Sequence, residues 1–354
     1  MDSAVSALLL KEQGYAVTGL FMKNWDEDDG TEYCTAAADL LDAEQVAAQL
    51  GIELLTANFA AEYWDNVFEE FLAEYATGGT PNPDIACNRE IKFRYFAAYA
   101  SELGADYIAT GHYARLQAGA DGVELHVAQD CNKDQTYFLQ AVPRERFERT
   151  LFPLGDYRKP EVRAIANRAG FVNHAKRDST GICFIGERRL RDFLATYLPA
   201  REGEIITADG QVVGTHPGVQ FYTLGQRQGL GIGGVRGAPE APWLVLEKDR
   251  DRNRLVVTQD PTLLDHRGLL AENPNWLIAE PPASGSRLRA RIRHRQPLQP
   301  CRIETAAGNQ LRVHFDEPQR AINPGQYVCL YDGTRCLGGA KIVAAADTGS
   351  VAAL

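Results

Sequence analysis

Two cysteines carry the most chemical content in this 354-residue chain. Cys87 closes the stretch Pro81-Asn82-Pro83-Asp84-Ile85-Ala86-Cys87, where a carboxylate and a thiol lie three residues apart in a proline-stiffened loop ahead of a helix. Unpaired N–H groups and the macrodipole at a helix start favour a thiolate, so Cys87 is a candidate nucleophile with Asp84 beside it. The structural alternative is a small buried hydrophobe, with Asn88 as the N-cap. Cys183 sits in Ser179-Thr180-Gly181-Ile182-Cys183-Phe184-Ile185-Gly186-Glu187, whose glycines permit close approach of a ligand or a second loop. Such a cysteine taken singly is more often core than catalyst. The pair matters more, and their separation of 96 positions leaves it to the fold to bring them together.

Other segments admit a binding role and a plainer one. Asp2-Ser3 opens the first helix as its cap, or as the end of an anion-binding loop whose N–H groups meet phosphate. His112, after Gly111 at a strand end, reads as a base, a stacking ring or a hydrogen-bonded surface group. In Lys133-Asp134-Gln135-Thr136, Asp134 can cap the following helix while Lys133 reaches a phosphate. Arginine recurs at period two from Arg287 through Arg289, Arg291 and Arg293 to Arg295, so an extended strand sets all five on one face. Edge strands normally mix in acids or lysine, so a polyanion contact is favoured over a solvated edge.

The formal net charge of −10 argues against nucleic acid only until its distribution is considered. Residues 1–75 hold 16 acids against Lys11 and Lys23, whereas residues 286–320 hold eight arginines against Glu304, Asp316 and Glu317. Local charge of this kind steers a polyanion. No run of 18 apolar residues occurs and Met1-Asp2-Ser3 lacks a secretory pattern, so a soluble cytoplasmic protein with no membrane association is expected. Seven scattered cysteines without a C-x-x-C pair argue against a disulfide scaffold and a zinc ribbon.

The elements that must position these groups fall into three parts. Residues 1–190 alternate β-rich runs with amphipathic stretches, the pattern of a doubly wound α/β sheet. Helices are expected over 2–13, 36–50, 60–75 and 88–103, and strands over 15–22, 52–57 and 107–110. Residues 191–262 form a small glycine-rich β module with a long loop at 224–232. Residues 263–354 form a second β unit, a six-stranded barrel over about 273–343, with turns at Pro281-Pro282, Ala307-Gly308-Asn309, Pro324-Gly325 and Asp332-Gly333.

Across nearly its whole length the chain resembles the bacterial tRNA-specific 2-thiouridylase (MnmA/TrmU) family. The matching text is the run from Gly19 to Asp28, Asn82-Pro83-Asp84 with Cys87-Asn88, Ile91-Lys92-Phe93, Ala109-Thr110-Gly111-His112-Tyr113, Lys133-Asp134-Gln135, Gly181-Ile182-Cys183-Phe184-Ile185-Gly186, Gly225-Gln226-Arg227 and Pro324-Gly325-Gln326. The resemblance implies a PP-loop ATP pyrophosphatase domain (adenine nucleotide alpha hydrolase-like) followed by two small β domains, the last a β-barrel. It implies adenylation of the C2 oxygen of wobble uridine U34 in the tRNA anticodon stem-loop, and then sulfur transfer. Cys183 would carry a persulfide received from a sulfur-relay donor protein. Cys87 would release that sulfur, leaving a Cys87–Cys183 disulfide, and Asp84 would accept or supply a proton. ATP with Mg2+ falls to Asp2, Ser3, Met22 and Gly111. The tRNA falls to Asn82, Pro83, Asp84, His112, Lys133, Asp134, Gln135, Arg293, His294 and Gln326. An iron-sulfur cluster on Asp84, Cys87 and Cys183 is left open.

The family's Ser-Gly-Gly-Val-Asp-Ser loop ends its first strand, whereas here only Asp2-Ser3 remains and Met1 stands where the family has valine. The expectation is that the first strand and most of that loop were lost by truncation or a misplaced start. Two other functions stay in view. A PP-loop synthetase adenylating a small carbonyl substrate has no need of paired cysteines or an arginine-lined β domain. An RNA-binding module without catalysis would bind tRNA and not thiolate it.

Overall fold

A stripe of apolar residues fixes the first helix, Asp2–Glu12: Val5 and Leu9 are buried against Val46, Leu154, Val162 and Phe171. Gly14, at φ 89°, takes the left-handed conformation that ends such a helix. The computed structural model to which it belongs describes residues 1–27, 36–176, 190–233, 235, 237, 239–306 and 309–346. Strand β1 (Gly19–Lys23) pairs in parallel with β2 (Leu54–Asn58), and helix Ala36–Leu50 connects them. A second parallel pair joins β3 (Ile108–Ala109) to β6 (Thr150–Leu151). The N-terminal region is thus α/β, with its parallel strands in two pairs.

Two long helical runs carry the aromatic core beside these strands. The run 60–76 consists of Ala60–Tyr63, a π-helical turn at Trp64–Phe68, and Glu69–Ala76. The run 83–102 consists of Pro83–Ala86, a π-helical stretch Cys87–Phe96, and Ala97–Glu102. Phe59, Tyr63, Phe68, Phe71, Tyr75, Cys87, Ile91 and Phe193 share one core. The second run starts ahead of the expected Asn88 because Asn82 is its N-cap, accepting from Ile85 N, with Pro83 at the first helical position. Asn88 instead points inward and donates Nδ2 to the Phe138 carbonyl at 3.2 Å.

The two β domains follow as expected in kind. Strands β7 (Gly203–Thr207), β8 (Val212–His216), β9 (Leu244–Asp249) and β10 (Arg254–Thr258) form a four-stranded sheet in the order β8-β7-β10-β9. The C-terminal unit is a closed six-stranded barrel. Its strands are β11 (Asp265–Trp276), β12 (Arg287–Arg291), β13 (Gln299–Ala306), β14 (Gln310–Arg320), β15 (Tyr327–Asp332) and β16 (Arg335–Ala346). They run in the order β11-β14-β13-β12-β15-β16 and close through β11–β16. Closure leaves no free edge and fills the interior with Leu269, Ala290, Ile292, Ile303, Val313, Val328 and Leu330.

The barrel is not a separate bead. The hairpin β4 (Ala114–Gly119) and β5 (Gly122–Val127) leaves the N-terminal region and pairs with β16, with Arg335 opposite His126. Tyr331, Cys329 and Cys336 on the barrel's outer face are buried in the same core as Tyr137, Leu139 and Phe93. Among the described residues no helix is long and apolar enough to cross a membrane.

Candidate active site

Asp84 and Cys87 lie on the first turns of run 83–102, and the cap fixes where each stands. With Asn82 as N-cap, Asp84 is the second helical residue and Cys87 the fifth. Only the first four N–H groups of a helix are unpaired, so Cys87 sits past the strongest part of the dipole that the sequence reading invoked for it. It is 5% exposed, in the aromatic core, where the π-helical stretch begins. Such stretches recur at functional sites.

Asp84 is partly buried, and among the described residues its carboxylate meets no hydrogen-bond or ion-pair partner. Burial pushes its carboxyl above the usual range, and the more remote positive charge of Lys92 only partly offsets that. Lys92 also helps burial hold the His112 imidazole well below its usual range. This lysine therefore acts on both groups, although the sequence reading gave it no role. Its period was the available signal, since Lys92 follows Asp84 by two helical turns.

His112 is not an exposed surface group. It is buried and 2.7 Å from Thr110 Oγ1, and its ring packs near Phe93 and Phe152. Gln326 and Asp134, also assigned to RNA by resemblance, are turned to protein partners. Gln326 Nε2 donates to the Thr80 carbonyl at 2.9 Å and the Pro81 carbonyl at 3.3 Å. Gln135 Oε1 accepts from Tyr113 N at 3.0 Å. Asp134 is 3% exposed and ion-paired with Arg291. The N-cap of helix Thr136–Leu139 is Gln135, with no side-chain cap, so the capping expected of Asp134 is not what holds it; Asp134 accepts from Thr136 N at 3.5 Å from one residue further out.

The arginine row is corrected by this pair. β12 ends at Arg291, so Arg293 and Arg295 lie in the turn beyond it, and a single strand does not carry all five. The alternation holds over the strand: Ala290 faces the barrel interior, while Arg287 and Arg289 are exposed. Arg291 also points out of the barrel, but residues 134–139 cover that part of its surface. Its guanidinium donates to Thr136 Oγ1 at 2.8 Å and to Tyr331 Oη at 2.9 Å, and it lies over the Tyr331 ring. Burial works against its charge, yet Tyr331 and Asp134 raise its pKa above the ordinary arginine value. His294 Nε2 lies 2.9 Å from the Asp134 carbonyl, with its ring centroid 4.3 Å from that of Phe138. Arg293 and Arg295 are exposed, though Arg293 donates to the Arg320 and Ala321 carbonyls.

Of the groups assigned to ATP, three meet. Gly111 packs on the start of helix Asp2–Glu12, where an added Cβ would lie 2.9 Å from Asp2 Cβ and 3.0 Å from Ser3 N. That cradle needs glycine, and it sets a strand's carboxyl end against the N-terminus of a helix, an arrangement that fits a nucleotide phosphate. Asp2 makes no side-chain cap. Its carboxylate takes Lys159 Nζ at 2.8 Å on each oxygen and accepts from Tyr113 Oη at 3.2 Å. Met22 lies on β1 and packs against the aromatic core. Cys183 falls outside the described residues, so neither the thiol pair nor the cluster it would complete has a described geometry.

Family models cover the three parts in order. The tRNA methyl transferase HUP domain matches residues 1–187, the tRNA methyl transferase PRC-barrel domain 191–259, and the aminomethyltransferase beta-barrel domain 266–342. Curated relatives include the tRNA-specific 2-thiouridylase MnmA of Alcanivorax borkumensis, 59% identical over 97% of this chain and 94% of the relative. Those of Methylococcus capsulatus and Pseudomonas aeruginosa are 58% and 59% identical, over 97% of this chain and 93% and 92% of their own lengths. With such identity over nearly the full length, and a matching order of domains, the chain belongs to the tRNA-specific 2-thiouridylase MnmA family.

Proposed function

We propose that this protein is a sulfurtransferase that converts the wobble uridine U34 of tRNA to 2-thiouridine. The observation that carries the reading is the placing of Asp84 and Cys87 on adjoining turns of one capped helix, with the Asp84 carboxyl raised by burial. The names of the relatives support the substrate, and the exposed arginines beside the barrel junction support a polyanion.

A uridine C2 oxygen is a poor leaving group, and ATP, accompanied by Mg2+, supplies the remedy by converting it to an AMP ester with release of pyrophosphate. The start of helix Asp2–Glu12, with Gly111 beside it, would hold the phosphates. Sulfur arrives from a donor protein as a persulfide on Cys183. The Cys87 thiolate attacks the Cys183 sulfur, forming the Cys87–Cys183 disulfide and expelling hydrosulfide. Hydrosulfide adds at C2 and AMP leaves, so oxygen departs with the nucleotide and sulfur takes its place. Asp84, whose raised carboxyl holds a proton more readily than an ordinary one, accepts the proton that the sulfur sheds. Asn82 and Pro83 shape the wall by which the base enters. Lys133, Arg293 and Arg295 meet phosphates.

The test is Cys183→Ala, assayed with ATP, a persulfide source and unmodified tRNA. Thiolation is expected to vanish while tRNA affinity stays within a few-fold, because sulfur and phosphate are handled by different residues. Continued 2-thiouridine formation would refute the role of Cys183.

A further inference from the structure

The glycine-rich loop at 224–232 belongs to the central domain, yet the barrel holds it. Asn323 takes both backbone groups of Leu224: Oδ1 accepts from its N–H at 3.1 Å, and Nδ2 donates to its carbonyl at 3.3 Å. Gly225, at φ 79°, follows so close to the barrel that an added Cβ would lie 2.7 Å from Ala321 Cβ. One side chain closes the next turn. Gln226 Oε1 accepts from Thr223 N at 3.0 Å, while Nε2 donates to the Gln228 carbonyl at 2.8 Å. The chain is thus pinned on either side of Arg227. Arg227 itself is exposed, with no hydrogen-bond or ion-pair partner among the described residues. Between Asp209 and Glu240 the chain has no acid and no lysine, and its only arginines are Arg227 and Arg236. The loop also adjoins the barrel's own basic surface, because Ala321, on which Gly225 packs, offers its carbonyl to Arg293 at 2.9 Å. Past Arg227 the surface is concave, with a hollow of about 330 Å3 between residues 229–232 and Trp243.

We infer that Arg227 is a tRNA contact: through it the central domain meets a backbone phosphate of the bound tRNA, continuing the basic surface that Arg293 and Arg295 begin on the barrel. A guanidinium presents parallel N–H donors that match two phosphate oxygens, and a turn fixed before binding lowers the cost of ordering it. With no acid near it in sequence, the charge is left for a ligand. Phosphate contacts position a nucleic acid and carry no sequence information. The part of Arg227 is therefore to fix how the tRNA lies across the barrel and the central domain.

This inference rests on the thiolation reading, and its test separates the two. Dissociation constants for unmodified tRNA are measured across salt concentrations for the wild type, Arg227→Ala, Arg227→Lys and Arg252→Ala. Arg252 belongs to the same domain, and its guanidinium pairs with Asp249 at 3.1 Å. Arg227→Ala is expected to weaken binding about three- to tenfold at low salt and to flatten the salt slope by about 0.7–1 unit, the share of one phosphate. Arg227→Lys keeps the charge and loses the fork, so the slope should hold while affinity drops about two- to threefold. Arg252→Ala should match the wild type in both. Arg227→Ala should also melt with the wild type, since the side chain it removes is exposed and unpaired among the described residues. An unchanged slope in Arg227→Ala, or an equal flattening by Arg252→Ala, overturns the inference and leaves the thiolation reading standing. A wild-type protein that fails to bind tRNA overturns both.

Discussion

Asp84 and Asp134 both lie at the start of a helix next to a covered surface, and they differ in what faces them. Asp134 has a buried arginine, a threonine hydroxyl and two backbone N–H groups. Asp84 has Lys92 at a distance and otherwise burial. The first arrangement satisfies a charge, locking the loop 133–136 to the barrel. The second leaves a charge uncomfortable, and an uncomfortable carboxylate is one ready to exchange a proton. The difference teaches that partners, and not burial alone, decide whether a covered carboxylate is satisfied. Of two aspartates that the family resemblance places together in the RNA set, one is a fastener.

The sharpest way to break this contrast is to neutralise each carboxylate. Asp84→Asn should lower thiolation about a hundredfold or more, the scale of a lost general base. Asp134→Asn should instead cost about 3–5 kcal/mol of stability, because it strands the buried Arg291 charge. The two changes should also have opposite signs in a denaturant titration. The folded-state pKa of Asp84 is raised, so its ionised form penalises folding. That penalty is absent at low pH, grows as pH climbs past the unfolded value and is complete above the folded one. Asp84→Asn should therefore stabilise the protein at neutral pH, with the gain fading towards about pH 3. Equal destabilisation by both substitutions would erase the distinction.

A smaller effect sharpens the same contrast among the arginines. Arg289→Ala and Arg295→Ala should each flatten the salt dependence of tRNA binding by about one unit of slope, whereas Arg291→Met should leave the slope unchanged because that guanidinium serves Asp134. A reduced slope in Arg291→Met would put that residue on the RNA after all.

What could be read in the sequence follows from how local each signal is. Barrel strands announce themselves by alternation and by turns such as Asp332-Gly333, and the structure has β15 and β16 on either side of that turn. Helix Ala36–Leu50 carries its own period and is found at its expected bounds. The arginine period was equally visible, and it still misled. What buries Arg291 comes from residues 134–139, over 150 positions away, and no local pattern reports a covering partner. The cap shows the same limit: Asn82 and Asn88 both precede helical text, and only the proline at position 83 distinguishes them. The hairpin β4–β5 reads as part of the N-terminal domain, and its pairing with β16 is a tertiary fact.

One measurement bears most directly on the account. The wild-type protein is incubated with unmodified tRNA, ATP and a persulfide source, and the digested RNA is analysed for 2-thiouridine, beside reactions lacking ATP and reactions of Cys87→Ala. The account predicts 2-thiouridine at position 34 in the complete reaction alone. Its formation without ATP, its persistence in Cys87→Ala, or its absence from the complete reaction would contradict the account.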